Sequence, residues 1–314
     1  MIVKKLEIGN FQLNIIATSG EFRMNVGLKE GIWRWFSRWA KKFRAKRAFR
    51  NQIKTKTNID QSDINKKTNY SKDELKILET IQSITWYHTF DFGNGLKAEG
   101  FFDHTPILER YRLPDNLTNK RVLDVATFDG FWAFEFEKRG AKEVCALDLA
   151  KRSDLDLPPE RLNRATPKEL NAKFGEGFKV AKRLLNSNVK RLTCNVYDLS
   201  PDLFGTFDIV HSGDFLLHLK NPVSALQNMA RVCTEYAIIS DVYSPDLDCF
   251  GNHSLLEYRG GHEDITWWNI SFTALENMIK DAGFRRVETI AKFQYGPRNS
   301  SGDVCHVVFK ANKN

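Results

Sequence analysis

The run Val122-Leu-Asp-Val-Ala-Thr-Phe-Asp-Gly130 joins an apolar stretch of strand length to an apolar-rich stretch of helix length. A turn of that kind brings backbone N–H groups to a helix N-terminus, where they can hold a ligand, and favours glycine where the chain must turn tightly. Asp148 closes the next apolar run, Ala146-Leu-Asp148, twenty-four residues after Asp124. An acid at that place can accept hydrogen bonds from two ribose hydroxyls. A third run ends in Asn195-Val-Tyr-Asp198, where a side chain can meet an adenine amino group. The pattern points to a nucleoside-bearing cofactor. A full GxGxxG is absent, which counts against a nicotinamide dehydrogenase. Among the seven histidines, none has the spacing of a zinc or iron site; no metal is expected.

These residues need a frame. Strand-length apolar runs are expected at Arg121–Val125, Glu143–Leu147, Arg191–Val196, Phe207–His211, Tyr236–Ser240, Arg286–Ala291 and Val304–Phe309. Helical patterns lie between most of them, at Phe131–Arg139, Gly177–Leu185, Pro222–Val232 and Thr273–Ala282. Strands alternating with helices imply an α/β fold, a doubly wound and mainly parallel sheet of seven strands. The last two strands have only a loop between them, so they form a hairpin with one antiparallel strand. Gly283 suits the position just past a helix end, and Ser71 with Glu74 forms a capping-box signature where the main domain begins.

The segment RVLDVATFDGFWAFEFEKRGAKEVCALD resembles motif I and the second strand of class I S-adenosylmethionine-dependent methyltransferases. YDL at 197–199, FDIVHSGDFLLHLKNP at 207–222 and WW…LENMIKDAGF at 267–284 extend the likeness over about residues 76–314. It is most similar to the branch holding bacterial tRNA wobble-uridine carboxymethyltransferases and natural-product and polysaccharide methyltransferases. The resemblance implies that Asp124, Gly130, Asp148 and Asp198 bind S-adenosyl-L-methionine, with Phe131, Ser212 and Gly213 lining the site. Leu149, Ala126 and Phe128 fall in the same cradle. Ala126 and Phe128 stand where the family pattern D-x-G-x-G-x-G has its first two glycines, so a reshaped loop is expected. Leu217 precedes His218 where the carboxymethyl branch has a tyrosine, and Cys305 and His306 stand in place of its C-terminal arginine. Plain methyl transfer is therefore expected rather than carboxymethyl transfer.

Methyl transfer from a sulfonium is an in-line displacement, and a hydroxyl acceptor needs a base for its proton. His218, with Asp214 one helical turn before it, is the first candidate pair; helix packing is the alternative reading of His218. His88, in Trp86-Tyr-His88-Thr, is the second, on a segment that could fold over the cofactor with Trp86 near the acceptor; simple packing of Trp86 on the sheet is the rival. Tyr258, Arg259, Trp267 and Trp268 follow the fifth strand, and paired tryptophans suit stacking on a planar or sugar ring.

The chain's formal charge of +8 is concentrated in one place. Residues 31–59 hold ten Lys/Arg and no acid, while the rest carries 37 basic against 39 acidic residues. Ile32, Trp33, Phe36, Trp39, Ala40 and Phe43 share one face of a helix over about 31–45, opposite Arg34, Arg38 and Lys41. That helix could dock on the main domain, meet an anionic membrane surface, or grip tRNA phosphates through residues 31–56. The expected organisation is an appendage at 1–53, a polar linker at 54–72 and a methyltransferase domain at 73–314. Five scattered cysteines, no apolar run of membrane length and no signal peptide suggest a cytoplasmic chain, with peripheral membrane association open. The leading expectation is methyl transfer to a small-molecule or glycan hydroxyl. The rivals are a 5-hydroxyuridine tRNA O-methyltransferase and a non-enzymatic cofactor-binding or membrane-recruited scaffold.

Overall fold

A computed structural model describes residues 2–8, 11–17, 22–28, 70–260, 265–298 and 303–314. The chain divides into two compact units, residues 1–68 with 245–253, and residues 69–244 with 254–314. In the first, β1 (Ile2–Ile8), β2 (Phe11–Ala17) and β3 (Phe22–Leu28) form an antiparallel meander. The basic helix expected over 31–45, and the linker up to residue 69, lie outside the described residues.

The second unit opens with α1 (Lys72–Gln82), whose start is closed by the Ser71–Glu74 capping box. Two short strands, β4 (Phe90–Asp91) and β5 (Lys97–Ala98), follow in the segment leading to the sheet. The sheet then takes its strands as β6 (Arg121–Val125), β7 (Glu143–Asp148), β8 (Lys190–Thr193), β9 (Phe207–Gly213), β10 (Cys233–Tyr243), β13 (Arg286–Tyr295) and β14 (Val304–Asn312). Their spatial order is β13-β14-β10-β9-β6-β7-β8, all parallel except β14, which runs antiparallel to both neighbours. This is the doubly wound α/β sheet with its antiparallel last strand.

Apolar residues on both faces of the strands force cover on both sides. Helices α4 (Pro222–Val232) and α5 (Phe272–Asp281) close one core with Leu123, Phe207, Ile239 and Phe309. Helices α2 (Phe131–Lys138) and α3 (Glu176–Leu184), with the chain from Ile81 to Leu117, close the other around Val122, Ala146 and Ile209. Helix α2 buries six consecutive residues, Phe131 to Phe136, because the sheet lies on one side and the 84–117 segment on the other.

Two elements depart from expectation. β8 stops at Thr193 rather than Val196, because the Asn195 side chain accepts the Tyr197 N–H and turns the chain into a 3-10 turn over Val196–Asp198. The insertion after β10 contains a small hairpin, β11 (Leu256–Tyr258) with β12 (Trp268–Ile270), which the strand-length apolar runs did not include. Among the described residues, no helix is long and apolar enough to cross a membrane. The five cysteines are free.

Candidate active site

A cavity of about 330 Å3 opens over the carboxyl ends of β6, β7 and β9. Ligands of open α/β sheets bind at that edge. Ala126, Phe128, Asp148, Leu149, Gly213, Asp214, His218 and His88 all line it.

The β6–α2 turn shows how the sequence keeps a glycine-type loop without the glycines. Ala126 has φ +60° and Phe128 φ +51°, both left-handed, and Gly130 follows at +94°. Each non-glycine residue held there costs roughly 1–2 kcal/mol. Asp124 sets the loop from below: its Oδ2 accepts the Thr127 hydroxyl at 2.6 Å and its Oδ1 faces His211 Nδ1 at 2.7 Å. Phe128 is 40% exposed, its ring between those of Tyr87 and Phe174 at 5.4 and 6.0 Å. It therefore stands at the rim and leaves the cradle open. A Cβ on Gly130 would come within 2.6 Å of Phe134 and 2.7 Å of Phe178, so that position must stay glycine.

Asp148, at the tip of β7, accepts N–H bonds from Phe128 at 2.9 Å and Leu149 at 2.7 Å. Burial nonetheless pushes its carboxyl up to about 6. A half-buried carboxylate in this state has strong demand for further donors, and a ribose diol supplies them.

Over the cavity lies the 84–104 segment, clamped by Asp129. The Asp129 carboxylate accepts the Tyr87 N–H at 2.8 Å and the His88 N–H at 3.0 Å, and holds His88 Nδ1. His88 is 4% exposed and stacks on Phe131 with centroids 5.4 Å apart. With Nδ1 committed to Asp129, the nitrogen left to the cavity is Nε2. Gly100 crosses His88 so closely that a Cβ would lie 2.3 Å from the His88 carbonyl carbon.

Several expected site residues take other places. Asp214 pairs with His306 from β14, Oδ2 to Nε2 at 3.3 Å, while His218 Nδ1 lies 3.2 Å from the Ile265 carbonyl. The expected Asp214–His218 pair is thus replaced by Asp214–His306, brought together because β14 sits two strands from β9 across β10. Asp124 spends both oxygens on the protein and so supports the loop. Asp198 is exposed in the 3-10 turn and does not line the cavity; Asn195 and Val196 do. Phe131 and Ser212 are buried behind the lining, at 6% and 1% exposure.

Trp86 is 4% exposed, its Nε1 donates to the Ile81 carbonyl and its ring meets Phe90 edge-on; it packs, as the rival reading held. Trp267 is buried with Nε1 donating to the Asp156 carbonyl, and Trp268 Nε1 donates to the Leu219 carbonyl. Arg259 pairs with Glu257 at 3.1 Å, and Tyr258 stands exposed on β11. None of Tyr258, Arg259, Trp267 and Trp268 lines the cavity; Ile265, between them, does.

The cavity also holds residues that motif reasoning passed over. His104, Tyr111 and Trp132 form its inner wall, and Arg152 with Asp154 to Leu157 form the side beyond Asp148. The available signal was a polar residue inside an apolar run, as with His306 in Val304-Cys-His-Val-Val-Phe309, or Asp129 closing its loop.

A methyltransferase-domain family profile matches residues 104–289, more than half of the chain. The chain belongs to the methyltransferase-domain family. The magnesium-protoporphyrin O-methyltransferase of Rhodobacter capsulatus is 30% identical over 124 residues, 40% of this chain and 42% of that enzyme. The chain therefore matches under half the length of that relative. Among solved structures, the N-terminal domain of EvdMO1 with SAH bound aligns with TM-score 0.53 at 17% identity, covering 79% of this chain and all of that one. The same domain in the presence of SAH and D-fucose gives 0.54. The fold is that of class I S-adenosylmethionine-dependent methyltransferases, and the EvdMO1 domain that shares it has SAH bound. The residues present fit S-adenosyl-L-methionine: Asp148 is a half-buried carboxylate that can take further donors, the 126–130 turn keeps the left-handed backbone, and the cavity spans from Asn195 to Gly213.

Proposed function

We propose that the methyltransferase moves a methyl group to a hydroxyl oxygen of a small-molecule or glycan acceptor. The observation that supports this most is His88 in the cavity wall, held from behind by Asp129. A carboxylate holding Nδ1–H fixes the tautomer and leaves Nε2 as an acceptor, the arrangement of a general base. An amine acceptor that arrives neutral has less need of such a base, whereas a hydroxyl must shed its proton as the methyl bond forms.

The cofactor supplies an electrophilic methyl group when bound. Asp148 would hold the ribose, Asn195 and Val196 the adenine side, and the 126–130 turn with Gly213 the amino-acid end. His88 would accept the acceptor's proton at Nε2, and Asp129 would stabilise the resulting imidazolium. Tyr87, Phe128 and Phe174 narrow the mouth and keep water out. Asp214 and His218 face the same space.

The second reading, a wobble-uridine tRNA O-methyltransferase, is favoured by the basic run at 31–56. An appendage at 1–53 on a linker at 54–72 would serve either tRNA phosphates or an anionic membrane.

Labelled-methyl transfer separates these readings. The intact chain is incubated with [methyl-14C]S-adenosylmethionine and, separately, a small-molecule extract and total tRNA. Label in the small-molecule fraction supports the first reading. Label in tRNA, lost at high salt as counterion release requires, overturns it.

A further inference from the structure

A second polar cluster lines the cavity, and the cofactor and base assignments above give it no role. Asp214 sits at φ +51°, a left-handed position for a residue with a side chain, held by its N–H bond to the Ser240 carbonyl at 3.0 Å. That backbone turns the carboxylate toward the cavity. Oδ2 faces His306 Nε2 at 3.3 Å, while Oδ1 is buried with no hydrogen-bond partner. Beside it, His104 is 2% exposed, lines the cavity and has an unpartnered buried Nδ1. Two orphaned polar atoms on one cavity wall are costly unless something meets them.

The charge of the cluster can be read from its geometry. His306 Nδ1 lies 3.1 Å from the Val304 carbonyl and Nε2 faces Asp214, so both ring nitrogens meet acceptors. Both therefore carry protons, and His306 is an imidazolium that neutralises the Asp214 carboxylate. Burial opposes both charges, but each holds the other: His306 is raised from its ordinary value by Asp214, and Asp214 is lowered by His306. Burial, reinforced by His88, keeps His104 well below its ordinary value, hence neutral. Asp214, His306 and His104 together thus present no net charge. A desolvated ammonium would gain little from it. A neutral group that both donates and accepts satisfies both orphans: a hydroxyl donates a hydrogen bond to Asp214 Oδ1 and meets His104 Nδ1.

This cluster is distinct from the base but continuous with it. The ring of His104 lies 5.1 Å from that of His88, and Tyr295 joins His104 to His306 at 5.2 and 5.9 Å. We infer that Asp214 and His104 form a hydroxyl-recognition subsite, so that the acceptor is a polyol, carrying one hydroxyl for methylation at His88 and another for anchoring at Asp214. The inference rests on the hydroxyl-acceptor reading above and deepens it.

The test uses small probes and the full-length protein saturated with S-adenosylhomocysteine. Affinities of cis-1,2-cyclohexanediol, cyclohexanol and cis-2-aminocyclohexanol are measured by saturation-transfer NMR, and S-adenosylhomocysteine binding is followed separately by calorimetry. The diol is expected to bind about tenfold more tightly than the mono-ol, the worth of one hydrogen bond to a charged group, and more tightly than the amino alcohol. Asp214→Asn and His306→Asn should each erase the diol's advantage. Asp214→Asn is nearly isosteric, so it also serves if His306→Asn fails to fold. Equal binding of diol and mono-ol, preference for the amine, or an advantage that survives in Asp214→Asn would overturn the subsite. Absence of S-adenosylhomocysteine binding to the unmutated chain would instead bring down the methyltransferase-site reading itself.

Discussion

Asp148 should be a residue that serves binding at the expense of stability. Its carboxyl is pushed from 3.8 up to about 6, chiefly by burial, against the pull of two backbone N–H bonds and Arg191. At 1.36 kcal/mol per unit, keeping it ionised in the folded, cofactor-free protein costs on the order of 3 kcal/mol. The cost is fully present above about pH 6 and disappears as pH falls toward 4, because the unfolded acid then protonates too. Asp148→Asn removes the charge. Its amide oxygen can keep one of the bonds from Phe128 and Leu149, and losing the other returns about 1 kcal/mol. The variant should therefore be more stable by on the order of 2 kcal/mol at pH 8. For a domain of this size that is a rise of about 4–8 °C in melting temperature; as the burial cost vanishes the gain falls through zero between about pH 4 and 5, and below that only the lost bond remains, a destabilisation of about 1 kcal/mol. Its affinity for S-adenosylmethionine should fall in the same experiment, by about 1–3 kcal/mol for lost bonds to the ribose. Scanning fluorimetry across pH, paired with calorimetric titration of the cofactor, measures both. A variant that melts lower at pH 8, or gains the same amount at every pH, would refute the burial argument. Unchanged affinity would remove Asp148 from the ribose site.

Other consequences follow from single contacts. Asp129→Asn should fold and bind cofactor, yet lower methyl transfer by about 10²–10⁴, since an amide no longer enforces the His88 tautomer; a variant retaining full turnover with an identified acceptor would exclude His88 as the base. Gly100→Ala should detach the 84–104 segment, because its Cβ would lie 2.3 Å from the His88 carbonyl carbon; hydrogen exchange at Tyr87 and His88 should then rise, and unaltered protection would contradict the clamp. Ala126→Gly should stabilise the chain by up to about 1 kcal/mol by relieving the left-handed strain at φ +60°, as urea unfolding can show. A loss of stability there would mean that the alanine methyl is needed in packing. On lowering pH below about 6, cofactor affinity of the unmutated protein should weaken as Asp148 takes up a proton; a flat profile would count against an ionised ribose ligand.

The sheet was legible because its strands are short, continuous apolar runs interrupted by helices, and such runs are what a sheet covered on both faces requires. The strand ends carrying Asp124 and Asp148 were found for the same reason. What escaped was everything set by contacts distant in sequence. Nothing near Asp214 announces His306, which reaches it only because β14 inserts between β13 and β10. Asp129 is one letter after Phe128 in a loop read for its glycines, and its three contacts all come from residues about forty positions earlier. Trp267 and Trp268 looked like a stacking platform because indoles often are; their N–H groups instead hold main-chain carbonyls at Asp156 and Leu219. Ala126 and Phe128 hid a glycine-type turn, since the left-handed backbone survives the change of residue at a cost the buried Asp124–Thr127–His211 network helps to bear.

The most direct test of hydroxyl methylation is the chemical shift of the transferred carbon. The intact chain is supplied with [methyl-13C]S-adenosylmethionine and the small-molecule extract, and the labelled product is read by carbon–proton correlation NMR. The account predicts a new resonance in the methyl-ether region, absent with Asp129→Asn. A label appearing as a methylamine or a thioether, or no transfer at all, would contradict it.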